Sequence, residues 1–540
     1  MCKKIIAIVK NKEFILLLLI ILIAVFFRFW QLDKIPPGLY PDIAINGNEA
    51  LDILQAGKIK VFYPENNGRE GLIMWLIALS FLIFGPSVWA IKFVAAFFGT
   101  LTVLGLYFLT KEVLSQSKFA TTLQHYNITT ISLLSSFFLA ISFWHTNFSR
   151  IGFRAILMPF ILVFAFYFLF RGFRTQKIYN FLISGAFFGL GFYTYISYRF
   201  VIFLFGLALV FWFLIYKKQN LKKDFLKFTA LCLLFTFFVA LPLGIYFLKN
   251  PQDFIGRVKG VSIFSQGNPF LNFGKSLIVH FGMFNFHGDG NWRHNLAGSP
   301  QLLWPAGIMF LLGIIFSIKE LIVSIKRKDG LQLALYGFLL GWFLFMLLPS
   351  FLSQEGTPHA LRTLGVVPVV YIFVGIGAFW LFSKIRKFYK TKWQIIIFYF
   401  LCFIFLFAIG FNEFNKYFYL WGKNPETKNA FSANYLEIGN YLNSLPDNIQ
   451  KFVIVNQSGV PVPFPNGIPM PAQTPIFMER IMYGKIRSTY VLPSEIEKVS
   501  AKKNMVIIPL RYDKNLFLRL QILFPAGKII NDDGVWVYKI

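Results

Sequence analysis

The stretch Leu72–Phe84, LIMWLIALSFLIF, is separated from a second apolar run beginning at residue 88 only by Gly85, Pro86 and Ser87. Its reading decides how the chain is threaded. A membrane span takes about 20 predominantly apolar residues, because the hydrocarbon core is ~30 Å thick and an α-helix rises ~1.5 Å per residue. About eleven other segments approach that standard: 14–30, 88–109, 128–144, 156–170, 178–197, 200–216, 226–248, 302–318, 331–348, 364–382 and 393–411. Lipid offers the backbone no hydrogen-bond partner, so each is expected to be a helix. Basic residues punctuate alternate loops: Lys3, Lys4, Lys10 and Lys12; Arg171, Arg174 and Lys177; Lys217, Lys218, Lys222 and Lys223; Lys326, Arg327 and Lys328; Lys384, Arg386, Lys387, Lys390 and Lys392. These loops are cytoplasmic by the positive-inside rule, which places the N-terminus inside and the C-terminus outside. Counting Leu72–Phe84 as a further span would put all the later basic loops on the wrong side. It therefore reads as a helix lying on the outer face, with a second such helix at Ala44–Gln55 stopped by Gly57.

Composition agrees. Of the 540 residues 56% are hydrophobic, 19% aromatic and only 14% charged, so lipid is the solvent for most of the chain. The net charge of +29 would suggest nucleic acid in a soluble protein, but these cations flank apolar runs, and no nucleic-acid partner is expected. Cys2, Cys232 and Cys402 are scattered and imply neither disulfide nor metal. Phe14–Trp30 resembles a signal-peptide core without a small-residue cleavage site and is expected to remain as the first span. After Phe411 the pattern changes to strand-like KFVIVN, NMVIIPL and VWVYKI, with helix-like FSANYLEIGNYLNSL and PSEIEKVSAKK between them. This predicts two domains, a polytopic membrane domain over 1–411 and a small α/β domain over 412–540 on the outer side. The proline-rich VPVPFPNGIPMPAQTP within the latter is expected to be a surface loop.

Polar chemistry collects on the outer side. Between the first two spans lie Asp33, Asp42, Glu49, Asp52, Glu65 and Glu70, six of the chain's 24 acidic residues. On a helix starting near Asp42, the residues Asp42, Asn46 and Glu49 share one face at i, i+4 and i+7. Burial beside lipid would raise a carboxylate there toward a useful base, whereas a solvated face would be inert. Other outward segments carry cations and aromatics: His145, Arg150 and Arg154; Tyr193, Tyr195, Tyr198 and Arg199; His287, Asp289, Trp292, Arg293 and His294; Glu355, His359 and Arg362. Each alone is ordinary headgroup anchoring. Together with Arg69 they suit a lipid phosphate, for which arginine supplies planar bidentate donors. No HExxH, CxxC or Asp-x-Asp spacing predicts a metal, and no cofactor is expected, although His287, Asp289 and His294 could hold an ion.

The runs PPGLYPDIAINGNEALDIL and FYPENNGREGLIMWLIALSFLIFGPSVWAIKF, with SRIGFRAILMPF, GLGFYTYISYRF and LPSFLSQEGTPHALRTLGVVP, resemble the GT-C fold glycosyltransferases that use polyprenyl-phosphate sugars. That group includes protein O-mannosyltransferases and lipid A aminoarabinose transferases. The resemblance covers residues 1 to about 400. It implies two interfacial helices in the first outer loop and a catalytic acidic residue that falls on Asp42. The chain departs from the pattern at Ile43, where members often carry Glu, and at Glu70 and Gly71, where they often carry Pro-Pro. At Arg154 and Ala155 many members have an acidic residue. The second carboxylate is therefore open between Glu49 and Glu70. The expected function is inverting transfer of a sugar from a polyprenyl-phosphate carrier to a hydroxyl of a protein, lipid or glycan at the outer face of the cytoplasmic membrane. Asp42 would be the base; Glu49, Arg69, Glu70, His145, Arg150, Arg154, Tyr195, Arg199, Arg293, His294, His359 and Arg362 would bind substrate, with Arg69, Arg150, Arg293 and Arg362 as the phosphate candidates. The alternative is a transporter or lipid flippase, which would place ionisable groups near the bilayer midplane. A receptor-like role would leave the outer charge clustering unexplained.

Overall fold

The computed structural model describes residues 2–115, 125–218, 221–265, 268–463, 467–499, 504–532 and 534–540. The chain divides into two compact units: residues 1–30 with 95–421, and residues 31–94 with 422–540. The loop between the first two expected spans thus belongs with the C-terminal residues.

The first unit is helical. Among the described residues eight helices are long and apolar enough to cross a bilayer: Val88–Ser115, Arg154–Thr175, Ile196–Lys217, Lys222–Lys249, Trp304–Lys326, Gly330–Phe351, Leu364–Arg386 and Lys392–Trp421. The chain is therefore a multi-pass membrane protein. The remaining three expected spans are also helical but end elsewhere. Residues 14–29 of the first lie in Cys2–Phe29, and Trp30 follows its end. The span expected at 128–144 stops at Ile141, and Ser142 caps a new helix, Phe143–Phe148, by accepting from the His145 amide. The one expected at 178–197 stops at Gly191. The side chains of Lys3, Lys4, Lys10 and Lys218 lie outside the described residues, as does that of Cys2.

In the second unit, helix α1 (Pro41–Ala56) begins on a proline and ends at Gly57, whose φ of 64° is the left-handed stop expected of it. A two-strand hairpin follows, β1 (Phe62–Tyr63) and β2 (Arg69–Glu70), and then α2, which covers Leu72–Phe84 and is separated from the next helix by Gly85. At 13 residues, α2 is about 20 Å long, well short of the hydrocarbon core. Ile73, Met74, Ile77 and Phe81 are buried and Leu79, Leu82 and Ile83 exposed, so one side packs on protein and the other presents an apolar face, as an interfacial helix does.

The C-terminal part is a three-layer α/β domain: α3 (Ala433–Ser444), β3 (Gln450–Ile454), α4 (Gln473–Tyr483), β4 (Thr489–Val491), β5 (Met505–Pro509), α5 (Lys514–Leu523), β6 (Lys528–Asp532) and β7 (Val535–Lys539). The sheet order is β4-β3-β5-β7-β6, with β4, β3 and β5 parallel and β7 and β6 antiparallel. Ile438, Leu442 and Ile476 cover one face; Ile496, Phe517 and Leu520 cover the other. The helix-like PSEIEKVSAKK is a 3-10 helix over Pro493–Lys498, and its residues 500–503 lie outside the described ones. The proline-rich stretch departs from expectation. Residues 464–466 of it are outside the described set, but Ile468, Met470, Pro471 and Ala472 are buried, because Met470 packs on Ile45 of α1 and the chain turns directly into α4. The surface-loop reading is corrected there: apolar residues between the prolines had a core to fill.

Candidate active site

Asp42, Asn46 and Glu49 do share one face of α1, and the β1–β2 hairpin lies across it. Its turn carries three consecutive left-handed residues, Asn66, Asn67 and Gly68, which bring the Asn66 amide to donate to Asp42 Oδ1 at 3.0 Å. Arg69, fully buried on β2, donates to Asn46 Oδ1 at 2.7 Å and to both oxygens of Glu49 at 2.5 and 2.7 Å. Its guanidinium also sits 5.9 Å from the Tyr63 ring centre. The two acids of the face are thereby distinguished. Glu49 is an enclosed ion pair, and burial lifts its pKa to about 7 in spite of Arg69. Asp42, half-buried, has Asn66 as a neutral partner and makes no ion pair among the described residues. Glu70 pairs through the backbone with Phe62 and is buried.

The C-terminal domain grips the other side of the same helix. Arg480 on α4 donates to the Asn48 carbonyl at 3.0 Å, to Asp52 at 2.6 Å and to Gln55 at 3.1 Å. Asn48 Nδ2 donates back to the Gln473 carbonyl and side chain, and the Thr474 hydroxyl donates to the Leu39 carbonyl. Gly47 is packed so closely on Phe477 and Ile91 that a Cβ would stand 2.7 Å from each.

The expected cations lie in the first unit. Arg150 is fully buried, donates to the Phe27 carbonyl at 3.0 Å and lies over the rings of Tyr417 and Phe418. Arg154 stands 5.3 Å from the Tyr195 ring centre. Arg199 lies 4.0 Å from the centre of Phe254 and donates to its carbonyl. Arg362 pairs with Glu355 at 2.6 Å. Half-buried Arg293 offers its carbonyl to Asn147. His294 Nδ1 meets Asp289 Oδ2 at 2.9 Å, and the His359 ring centre is 5.0 Å from that of His294. Burial drives both imidazoles below the usual histidine range, His359 further lowered by His294 and Arg362. His287 instead lies against Gly298, so the ion-capable group expected as His287, Asp289 and His294 is formed with His359 in place of His287.

Sequence reasoning missed Arg28. It is fully buried and donates to the carbonyls of Ala24, Leu139 and Ala140 and bonds His145 Nδ1 at 2.8 Å. Leu139 and Ala140 are in the last turn of His125–Ile141, where free carbonyls attract a cation. The signal was a lone arginine inside FFRFW, at the end of an apolar run.

Residues 72–246 match the family model described as dolichyl-phosphate-mannose-protein mannosyltransferase. No curated protein matches the chain by sequence. Among solved structures the chain is similar to ArnT from Cupriavidus metallidurans in the apo state, with 10% identity over 98% of both chains and a TM-score of 0.54. ArnT bound to undecaprenyl phosphate gives 14% identity over 97% of both chains and a TM-score of 0.53. The oligosaccharyltransferase AglB from Archaeoglobus fulgidus, in complex with an inhibitory peptide and a dolichol-phosphate, shares 14% identity. That match covers 89% of this chain and 64% of AglB, with a TM-score of 0.50. The GT-C resemblance read from the sequence is borne out, and the chain has this fold.

Proposed function

We propose that the chain is an inverting glycosyltransferase that moves a sugar from a polyprenyl-phosphate carrier to an acceptor hydroxyl, with Asp42 as the base. The match of residues 72–246 to a mannosyltransferase family model supports the reaction class. The lipid phosphates named with ArnT and AglB support the carrier. The observation that carries the role of Asp42 is the contrast on α1: Arg69 occupies both oxygens of Glu49, while among the described residues Asp42 has the neutral Asn66 amide and no ion pair.

In the reaction, the Asp42 carboxylate accepts the acceptor's hydroxyl proton as that oxygen bonds the anomeric carbon. The bond from that carbon to the phosphate oxygen breaks on the opposite side. Polyprenyl phosphate leaves unprotonated, since a phosphate monoester's second pKa is about 6, so one carboxylate suffices. Arg150, Arg293 and Arg362 are the candidates for stabilising its charge. Arg69 serves to hold the hairpin on α1. The basic loops support an orientation with the N-terminus in the cytoplasm and the C-terminal domain outside the cytoplasmic membrane, where a lipid-linked sugar enters sideways from the bilayer.

The test is sugar transfer or release by purified protein in detergent, supplied with a panel of radiolabelled polyprenyl-phosphate sugars. Asp42→Asn is expected to lower turnover by about 10²- to 10⁴-fold, the usual contribution of a positioned base, with carrier binding retained. Normal turnover in Asp42→Asn would remove Asp42 from the chemistry. Carrier binding without turnover in the wild type would favour a transporter. Reporter fusions after residues 328 and 540 should read cytoplasmic and extracytoplasmic respectively.

A further inference from the structure

Two loops of the first unit converge on a group that the proposed transfer does not use. One runs from Gly282 to Trp304 and carries Asp289 and His294; the other follows Phe351 and carries His359. A carboxylate oxygen of Asp289 and one ring nitrogen of each histidine lie within 4.8 Å of one another. Asp289 and His294 are 3% and 4% exposed. The carboxylate is fixed from both loops, Oδ1 accepting from the Asn291 amide and Oδ2 from the Ala360 amide, each at 2.8 Å. His359 Nδ1 is buried and has no hydrogen-bond partner among the described residues, and neither has the side-chain oxygen of nearby Asn295 or of Gln301. A buried ring nitrogen left unpaired costs on the order of 1–3 kcal/mol, and the ring that carries it has its centre 5.0 Å from that of His294.

We infer that Asp289, His294 and His359 bind a divalent transition-metal ion of the zinc class, joining the two loops and leaving a fourth coordination position open. Two imidazole nitrogens and one carboxylate oxygen are the donor set of an open tetrahedral zinc site, whereas magnesium and calcium take oxygen ligands. Bonds of about 2.0–2.2 Å place such donors a little over 3 Å apart, so side-chain adjustments of about 1 Å complete the geometry. Arg362, the nearest opposing charge on the second loop, is offset by its pairing with Glu355.

The test uses the full-length protein in detergent, stripped with a chelator, reloaded with zinc chloride or cobalt chloride and desalted. We expect one ion per chain by elemental analysis and the intense visible absorption of four-coordinate cobalt. His359→Ala and Asp289→Asn should weaken binding by at least tenfold, since loss of even an outer partner typically costs about 10- to 100-fold. His287→Ala should bind normally. A wild-type protein that retains no metal and shows no cobalt spectrum overturns the inference, as does unchanged metal content in His359→Ala that still unfolds cooperatively. Should His359→Ala fail to fold, the wild-type cobalt spectrum decides alone: four-coordinate absorption supports the site and its absence overturns it.

Discussion

Asp42 and Glu49 stand two turns apart on one helix face, and Arg69 pairs with Glu49. Glu49 has its pKa lifted from 4.5 to about 7 by burial, which outweighs the adjacent guanidinium. Its folded-state pKa therefore lies above its unfolded value. Below about pH 4.5 the carboxyl is protonated in both states and its contribution to stability is fully present; that contribution is lost as pH rises through 7. A shift of this size corresponds to about 3 kcal/mol as an upper bound. Thermal unfolding of the purified protein should accordingly show a component that weakens between about pH 4.5 and 7, and Glu49→Gln should flatten it. An unchanged pH profile in that variant would place Glu49 outside the titration. The alignment of Asp42, Asn46 and Glu49 was legible because helical period alone sets it. The state of Glu49 was not, since it depends on a hairpin whose turn of Asn66, Asn67 and Gly68 delivers Arg69 from 20 residues away. Arg28 escaped notice for a related reason: within an apolar run it reads as a helix-end cation, and only the packing reveals that it binds another helix's last carbonyls.

At the scale of elements, α1 is clasped between the hairpin and α4. Arg480 is the centre of the second grip, buried itself and bonded to the Asn48 carbonyl, Asp52 and Gln55. Replacing it with methionine keeps much of the stem's packing but strips α1 of these donors, at a cost of about 1–3 kcal/mol. The expected result is faster amide exchange over residues 41–56, with the membrane helices unaffected, and a transfer rate that falls while carrier binding holds. Exchange that stays at the wild-type level would show that Phe477 packing on Gly47 suffices. The end of α1 and both ends of α2 were readable because Gly57, Gly71 and Gly85 punctuate them, whereas α1 starts at Pro41, three residues before the expected Ala44. β4 and β6 were not, because TYV is too short to show alternation and KIIND is an exposed edge strand without a buried face to pattern it.

For the whole molecule, apolar runs and basic loops were enough to expect many spans, and eight described helices satisfy that standard by length and composition. What no run of sequence displayed is that residues 31–94 share a compact unit with 422–540, because that grouping is made by contacts across roughly 400 positions: Gly38 against Phe431, Asn48 against Gln473, Phe81 stacked on Phe477. Gly38 has a φ of +86°, and a Cβ there would stand 2.6 Å from the Phe431 carbonyl oxygen, so this approach is built for glycine. The C-terminal domain therefore acts, on the proposed reading, as part of the scaffold of the catalytic loop. Deleting residues 422–540 would uncover Ile45, Gly47, Asn48 and Phe81 and leave α1 with the hairpin as its main support. Such a protein should still insert and keep its helical content by circular dichroism, because the described residues of the deleted part contain no candidate span. It should nevertheless lose transfer by at least a hundredfold and show rapid amide exchange over 41–56. A domain that served only to collect the acceptor would give a different result: transfer to a small soluble acceptor at high concentration would survive the deletion, and α1 would exchange as slowly as in the full chain.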